Sequence, residues 1–82
     1  MRVEKLNVGK NHKELNNQLE ELRKASHLTQ LELAEKVEVS RKSINSIENG
    51  IYIPATVLAL KIAKALNCTI YDVFQLPIDK KV

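Results

Sequence analysis

Apolar residues recur at intervals of three and four along most of this chain, which is the spacing of an amphipathic α-helix. The first such run consists of Leu15, Leu19 and Leu22, and Leu28 is placed to close the following turn against the same core. The pattern predicts a first helix from residue 11 or 12 to residue 25. The predicted solvent face of this helix is made of Glu14, Asn17, Glu20, Glu21 and Lys24.

A second helix is predicted to begin after Thr29. The Thr29 hydroxyl can accept a hydrogen bond from a free N–H of the first turn. Glu32, three residues later, can reach back to the Thr29 N–H and complete a capping box. The apolar residues Leu33, Ala34 and Val37 then share one face at helical spacing, so this helix has a clear inner side.

A third helix follows after a tight turn. Its candidate N-cap is Ser40, which comes directly after the apolar Val39. Ile44 and Ile47 give the helix a single narrow apolar stripe. Gly50 follows where a residue with left-handed backbone geometry commonly ends a helix.

The remaining side chains of the third helix are basic or uncharged up to Glu48, and they are Arg41, Lys42, Ser43, Asn45 and Ser46. Such side chains are good donors to phosphate oxygens and to the edges of bases, and Asn can also accept from adenine. The alternative is an ordinary solvated face, which more often mixes Glu with Lys at four-residue spacing. The composition of this helix favours contact with DNA.

The second half of the chain predicts two more helices. Pro54 disfavours helix at the residue before it, so residues 51–54 should be extended and a fourth helix should begin at Ala55 or Thr56. This helix should run to about Leu66, with Asn67 as its stop. Its predicted inner stripe is Thr56, Ala59, Ile62, Ala63 and Leu66, and the apolar surplus outside the stripe is Val57, Leu58 and Leu60. Surplus of that kind often marks a contact with another subunit.

A fifth, short helix is predicted from Ile70 to about Gln75. Thr69 and Asp72 have the spacing of a capping box, and Val73 and Phe74 should close the core.

The two chain ends have no helical periodicity. Residues 1–12 form either a frayed extension or a short strand, in which Met1–Val8 could pair with the segment 76–82. We expect one helical domain over residues 13–76 and a tail over residues 77–82, with Lys80 and Lys81 solvated.

Composition limits the choice of function. The 82 residues make one small domain with a net charge of +3, and the single Cys68 can form neither an internal disulfide nor, unaided, a zinc site. We expect Cys68 to be a small, buried or half-buried apolar residue. His12 and His27 stand far from any cysteine or carboxylate cluster, so we expect no metal site, no cofactor and no small-molecule ligand.

The location of the protein is predicted from two further features. The N-terminus is charged and has no apolar core segment, so it does not resemble a signal peptide. Lys61 and Lys64 interrupt the most apolar stretch well before the ~20 residues of a membrane span. A cytoplasmic protein without membrane contact is expected.

The order of these residues resembles a known family. The residues that match are Gln30, Ala34, Val39, Ser40, Arg41, Ile44, Ile47, Glu48, Asn49, Gly50 and Pro54, followed by the segment 60–66 and the Val73-Phe74 ending. They resemble the helix-turn-helix domain of Cro/repressor-type, lambda repressor-like transcriptional regulators, over roughly residues 14–76. The resemblance implies an all-α, compact five-helix domain and does not extend to the chain ends, for which the short β-strands considered above stay an alternative.

The resemblance also implies a binding geometry. The helix at 30–37 would lie across the DNA backbone, and the helix at 41–48 would enter the major groove. The base-contacting positions would be Arg41, Lys42, Asn45 and Ser46. The phosphate-contacting positions would be Thr29, Gln30, Ser40, Ser43, Asn49 and Tyr52, of which Thr29 and Ser40 are also explained as helix caps.

The chain departs from the family pattern at two positions. Many relatives have glycine at the position of Glu38, because that residue commonly takes a positive φ angle. We expect Glu38 to keep the turn in shape at a cost of roughly 1–2 kcal/mol. Relatives often have a capping serine at the position of Ala55, so capping there falls to Thr56 or water.

One helix of this length covers too few base pairs to define a site, so we expect a homodimer on a palindromic operator with half-sites about 34–36 Å apart. Its contacts would come from the fourth and fifth helices, and the terminal segments are further candidates. The expected function is transcriptional repression in a phage, plasmid or bacterium. The alternative is a protein-binding module of the same fold, such as an antitoxin or adaptor partner. An enzyme is not expected, because the sequence has no glycine-rich phosphate loop and no nucleophile beside a plausible histidine base.

Overall fold

The computed structural model describes residues 15–77, which form five helices and one two-stranded antiparallel sheet. In chain order the elements are β1 (Asn16–Asn17), α1 (Leu19–Ala25), α2 (Gln30–Val37), α3 (Arg41–Glu48), α4 (Thr56–Ala65), α5 (Ile70–Val73) and β2 (Phe74–Gln75). The predicted fold, five helices with short strands near the ends, is confirmed. None of the described helices is long and apolar enough to cross a membrane.

The core is built from the apolar stripes that the helices present to one another. Its fully buried side chains are Leu19, Leu33, Val37, Ile44, Ile47, Ile62 and Val73. Helix α2 lies between α3 and α4 and packs against both. The isoleucine stripe of α3 is therefore held by α2, as the sequence pattern predicts.

The start of the first helix differs from its prediction. Residues 15–18 are not helical, and α1 begins only at Leu19. Asn17, expected on the solvent face, is half-buried: its Oδ1 accepts from the Leu19 N–H at 2.8 Å, and its Nδ2 donates to the Ile47 carbonyl at 2.5 Å. The backbone of residues 16 and 17 is used to pair with β2, so it cannot join the helix.

The end of the last helix also differs from its prediction, because α5 stops at Val73 rather than near Gln75. Phe74 is extended, with φ −128° and ψ 133°, and pairs with Asn17 while Gln75 pairs with Asn16. The Gln75 side-chain amide donates to the carbonyls of Tyr71 and Asp72, at 2.6 and 3.0 Å, and so satisfies the end of α5. The predicted pairing of Met1–Val8 with segment 76–82, the 1–12 extension and the tail lysines lie outside the described residues.

The predicted helix caps are present. Thr29 and Glu32 exchange two hydrogen bonds, at 3.0 and 2.8 Å, and Thr69 and Asp72 form the same box at 3.2 and 2.9 Å. The Ser40 hydroxyl accepts from the Ser43 N–H at 3.1 Å. These local bonds set the beginnings of α2, α3 and α5.

Helix α4 begins at Thr56, and its N-cap residue Ala55 provides no side-chain hydrogen bond. Ala59, Ile62, Ala63 and Leu66 are buried, but Thr56 is exposed, which corrects its assignment to the inner stripe. Thr56 is the first residue of the helix and lies beyond the edge of the core. Val57 and Leu60 are exposed, whereas Leu58 packs against the core.

Candidate nucleic-acid interface

A three-residue turn, residues 38–40, joins α2 to α3. Glu38 has φ 66° and ψ 42°, so the left-handed geometry expected for the family's glycine position is present with a glutamate. The Val39 N–H donates to the Ala34 carbonyl at 3.0 Å and closes the end of α2. Ser40 then caps α3, and α3 packs against α2.

Helix α3 has two distinct sides. Ile44 and Ile47 are completely buried. Arg41 and Lys42 are exposed, and Ser43, Asn45 and Ser46 are half-buried. Helix α3 therefore presents its two cations at its N-terminal end, where the helix dipole adds partial positive charge and favours anions.

A buried ion pair anchors α3 to α1. Arg23 Nε donates to Glu48 Oε2 at 2.6 Å and Arg23 Nη2 to Glu48 Oε1 at 3.3 Å. The side chains of Arg23 and Glu48 are 9% and 3% exposed. The third nitrogen of Arg23, Nη1, donates to the Leu28 carbonyl at 2.8 Å, so the same guanidinium also holds the turn after α1.

The pKa of Arg23 is raised above its ordinary value, chiefly by its hydrogen bond to Glu48 and against the effect of burial. Sequence reasoning missed this pair. The available signal was the position of Arg23, which follows Leu19 by four residues and therefore lies on the inward face of α1.

Gln30 connects this ion pair to the exposed end of α3. Its Nε2 donates to Glu48 Oε1 at 2.9 Å and to Asn45 Oδ1 at 3.1 Å. Its Oε1 accepts from Arg41 Nη1 at 2.8 Å. We refer to Arg23, Gln30, Arg41, Asn45 and Glu48 as the α2–α3 polar network.

The opposite edge of α3 forms a shallow depression. Its lining residues are Ser40, Lys42, Ser43, Ser46 and Tyr52. The backbone N–H groups of Ile51 and Tyr52 donate to the Ser46 carbonyl at 2.9 and 3.3 Å, which holds the following loop against the end of α3. Tyr52 is thereby brought beside residues that precede it by six to twelve positions.

The other predicted contact residues flank the same surface. Thr29 lies at the start of α2 and Asn49 at the end of α3, where its Nδ2 donates to Asn45 Oδ1 at 3.3 Å. All ten predicted residues thus belong to α2, α3 or the segments next to them. Their individual contacts with DNA stay predictions.

The chemistry of this surface is that of recognition. Among residues 15–77, no group of three or more His, Cys, Asp or Glu residues could hold a metal ion. The surface carries two exposed cations and several hydroxyl and amide groups. They lie on a helix whose opposite side is packed against the core through its isoleucine stripe. Two helices in this arrangement define the class of helix-turn-helix DNA-binding domains.

Comparison with known proteins gives the same class. The helix-turn-helix family model matches residues 19–73, which contain α1 to α5. The chain belongs to the Cro/repressor-type helix-turn-helix family of transcriptional regulators.

Individual relatives are consistent with this assignment. The chain is 42% identical, over 62 residues, to the HTH-type transcriptional regulator YgzD of Bacillus subtilis (strain 168), a match that covers 76% of this chain and 94% of that protein. The crystal structure of the clp gene regulator ClgR from Corynebacterium glutamicum is similar with a TM-score of 0.64 and 28% identity, covering 66% of this chain and 57% of that one. The solution structure of the SOS-response transcriptional repressor LexA from Eubacterium rectale is similar with a TM-score of 0.63 and 25% identity, covering 89% and 83%.

Proposed function

We propose that this helix-turn-helix regulator is a repressor that binds a palindromic operator as a homodimer, with α3 in the major groove of each half-site. The observation that carries the proposal is the division of α3 into a buried isoleucine stripe and an outer side bearing exposed Arg41 and Lys42. The major groove of B-DNA is about 12 Å wide and admits an α-helix. A helix held in this way can enter that groove while its isoleucine stripe stays buried.

In this proposal the bases are contacted by Arg41, Lys42, Asn45 and Ser46. A guanidinium or ammonium group paired with guanine O6 and N7 is the commonest specific contact, and each good bidentate pair contributes about 1–3 kcal/mol of discrimination. The phosphates are contacted by the side chains of Thr29, Ser40, Ser43, Asn49 and Tyr52, and by the backbone N–H of Gln30, the first residue of α2. These contacts would set the register of the protein on the duplex without choosing its sequence.

The repressor role is supported by the similarity to LexA, which is named a transcriptional repressor. The homodimer is supported by exposed apolar side chains on and after the last two helices, namely Val57, Leu60, Tyr71 and Leu76. A twofold pair of chains would present two copies of α3 to two half-sites about 34–36 Å apart.

The second candidate is a protein-binding module, favoured by the same exposed apolar side chains. Titration of DNA binding with salt separates the two functions. Binding through phosphates weakens steeply as salt rises, because counterions are released, whereas binding through apolar surface does not.

The decisive experiment is selection of bound duplexes from a random pool by the full chain, with Lys42→Ala in parallel. We expect a palindromic consensus, and we expect Lys42→Ala to lose preference at one position of each half-site. A uniform loss of affinity would make Lys42 a phosphate contact. A pool without any enriched sequence would refute operator binding.

A further inference from the structure

We propose that Glu48, although its side chain is buried, is a positioning residue for DNA sequence preference. It sets the direction of the Gln30 amide, and the Gln30 carbonyl oxygen in turn holds the guanidinium of Arg41. The proposal rests on the proposed function, since it assigns to Arg41 a base that the operator must contain.

The first step is the orientation of the Glu48 carboxylate. Both of its oxygens accept from Arg23, at 2.6 and 3.3 Å, and its side chain is 3% exposed. Arg23 is held in turn by the Leu28 carbonyl. The carboxylate is therefore fixed by two hydrogen bonds from one anchored guanidinium before α2 contributes anything.

The second step is the direction of the Gln30 amide. An ionised carboxylate only accepts hydrogen bonds, so the group that faces Glu48 Oε1 at 2.9 Å must be the NH₂ of Gln30. The second hydrogen of that NH₂ goes to Asn45 Oδ1 at 3.1 Å. The carbonyl oxygen of Gln30 is then forced to point the other way.

The third step is the position of Arg41. Its Nη1 donates to the outward Gln30 Oε1 at 2.8 Å, although the two residues are on different helices. A guanidinium has five N–H donors, so one bond to Gln30 leaves the others for a base. Holding a long side chain in place before binding lowers the entropy cost of forming the contact.

The same geometry restricts what the Gln30 side chain can do. Both hydrogens of its NH₂ are engaged inside the protein, and its oxygen is an acceptor, as are phosphate oxygens. A side-chain contact from Gln30 to phosphate would require breaking a bond within the α2–α3 polar network. Through its side chain, Gln30 acts on DNA by way of Arg41.

The test compares base preferences rather than total affinity. Binding of the full chain to duplexes that carry each of the four bases at every operator position gives the wild-type profile. The position that loses its preference in Arg41→Ala identifies the Arg41 base, and Lys42→Ala identifies the Lys42 base in the same way. The test variant is the double change Arg23→Met with Glu48→Met, because replacing a buried ion pair by apolar residues of similar volume commonly preserves the fold.

The wild type should prefer its Arg41 base by about 5- to 150-fold, the discrimination of one good bidentate contact. The double variant should lose most of that preference and keep the preference at the Lys42 base. Adding Arg41→Ala to the double variant should then cause no further loss at the Arg41 position. Leu19→Val, a core change on α1 outside the network, is the control and should leave both preferences intact.

A second variant keeps the test decisive if the double variant does not fold. Gln30→Met leaves the Arg23–Glu48 pair in place and removes the three Gln30 bonds, including the one that holds Arg41, so it should produce the same loss at the Arg41 base. Unchanged preference at that base, or equal loss at the Arg41 and Lys42 bases, would overturn the positioning role while leaving operator binding standing. A wild type that prefers no base at any position would overturn the proposed function, and this inference with it.

Discussion

Left-handed backbone geometry at non-glycine residues is the clearest way in which single residues lower the stability of the described part of the chain. His27, Glu38 and Asn67 have φ angles of 61°, 66° and 60°, and each follows the end of a helix. Asn tolerates this geometry better than most residues, whereas a glutamate in it costs roughly 1–2 kcal/mol. Gly50 takes φ 74° without that cost. Glu38 is therefore the position where a single substitution should stabilise the fold.

Glu38→Gly should raise the free energy of unfolding by up to about 1 kcal/mol, because part of the relief is offset by the greater freedom of glycine in the unfolded chain. The lost contact with Lys61 Nζ, at 3.1 Å and exposed, contributes little. Thermal unfolding measures the change. Glu38→Ala is the control: it also loses the Lys61 contact but keeps the backbone cost, so it should not stabilise. Equal melting temperatures for wild type and Glu38→Gly would show that the turn is not strained.

The buried ion pair gives a second residue-scale prediction. Arg23→Met leaves the Glu48 carboxylate buried without its partner and should cost about 3–5 kcal/mol of stability. Combining it with Glu48→Met should recover most of that loss. Urea unfolding of the three proteins provides the measurement. If the double change is as unstable as Arg23→Met alone, the loss comes from packing and not from the unpaired charge.

The pH dependence of this pair follows from the raised pKa of Arg23. A raised pKa means that the stabilisation is complete below the pKa of the unfolded state and is lost only as the pH rises through the still higher pKa of the folded state. For an arginine this window lies at strongly alkaline pH. The contribution of Arg23 should therefore be constant through neutral and mildly alkaline conditions.

At the scale of elements, the helices begin where local side chains satisfy their free N–H groups. Helices α2 and α5 begin with the same capping box, built by Thr29 with Glu32 and by Thr69 with Asp72. Only the first of these boxes lies in the helix-turn-helix unit. The two threonines therefore form a natural matched pair for separating a cap from a DNA contact.

Thr29→Ala and Thr69→Ala should each lower stability by about 1 kcal/mol, the usual cost of losing such a cap. DNA affinity should fall more in Thr29→Ala than in Thr69→Ala, because only Thr29 is a predicted phosphate contact. The fall should be equal for all operator sequences, because a phosphate contact carries no sequence information. Thermal unfolding and operator titrations at one salt concentration provide the two measurements. Equal affinities for the two variants would leave Thr29 with a capping role alone.

At the scale of the whole molecule, apolar surface remains uncovered beside α4 and α5. Leu60 is 52% exposed, and Val57, Tyr71 and Leu76 are more so. Leu60, Cys68 and Ile70 line a groove between the two helices. This surface is separate from α3, so one chain could pair through it and still present α3 to DNA.

Leu60→Glu should shift the proposed homodimer toward monomer, because pairing through this surface would bury the new charge without a partner. Leu31→Glu on α2 is the control, since Leu31 is also 52% exposed but lies on a different element. Sedimentation equilibrium distinguishes the two variants. A Leu60→Glu protein that remains dimeric would exclude this surface as the interface.

What the sequence determined by itself is mainly local. The capping boxes join residues three positions apart, and the stripes of Ile44 with Ile47 and of Leu33 with Val37 repeat at helical spacing. The sequence therefore defines these helices and their inner sides over short distances. The outward position of Arg41 and Lys42 follows directly, because the opposite side of the same helix is buried. The candidate surface was therefore predictable as a set of residues.

The tertiary structure alone decided the connections between distant parts of the chain. Asn17 bonds the carbonyl of a residue 30 positions away, and Arg23 bonds Glu48 across 25 positions. Residues 16–17 are drawn out of the first helix, and residues 74–75 out of the last, because their backbones pair with each other. Such bonds have no spacing pattern in the sequence, since they form only after the helices have packed. The network that orients Gln30 toward Arg41 is therefore a property of the fold.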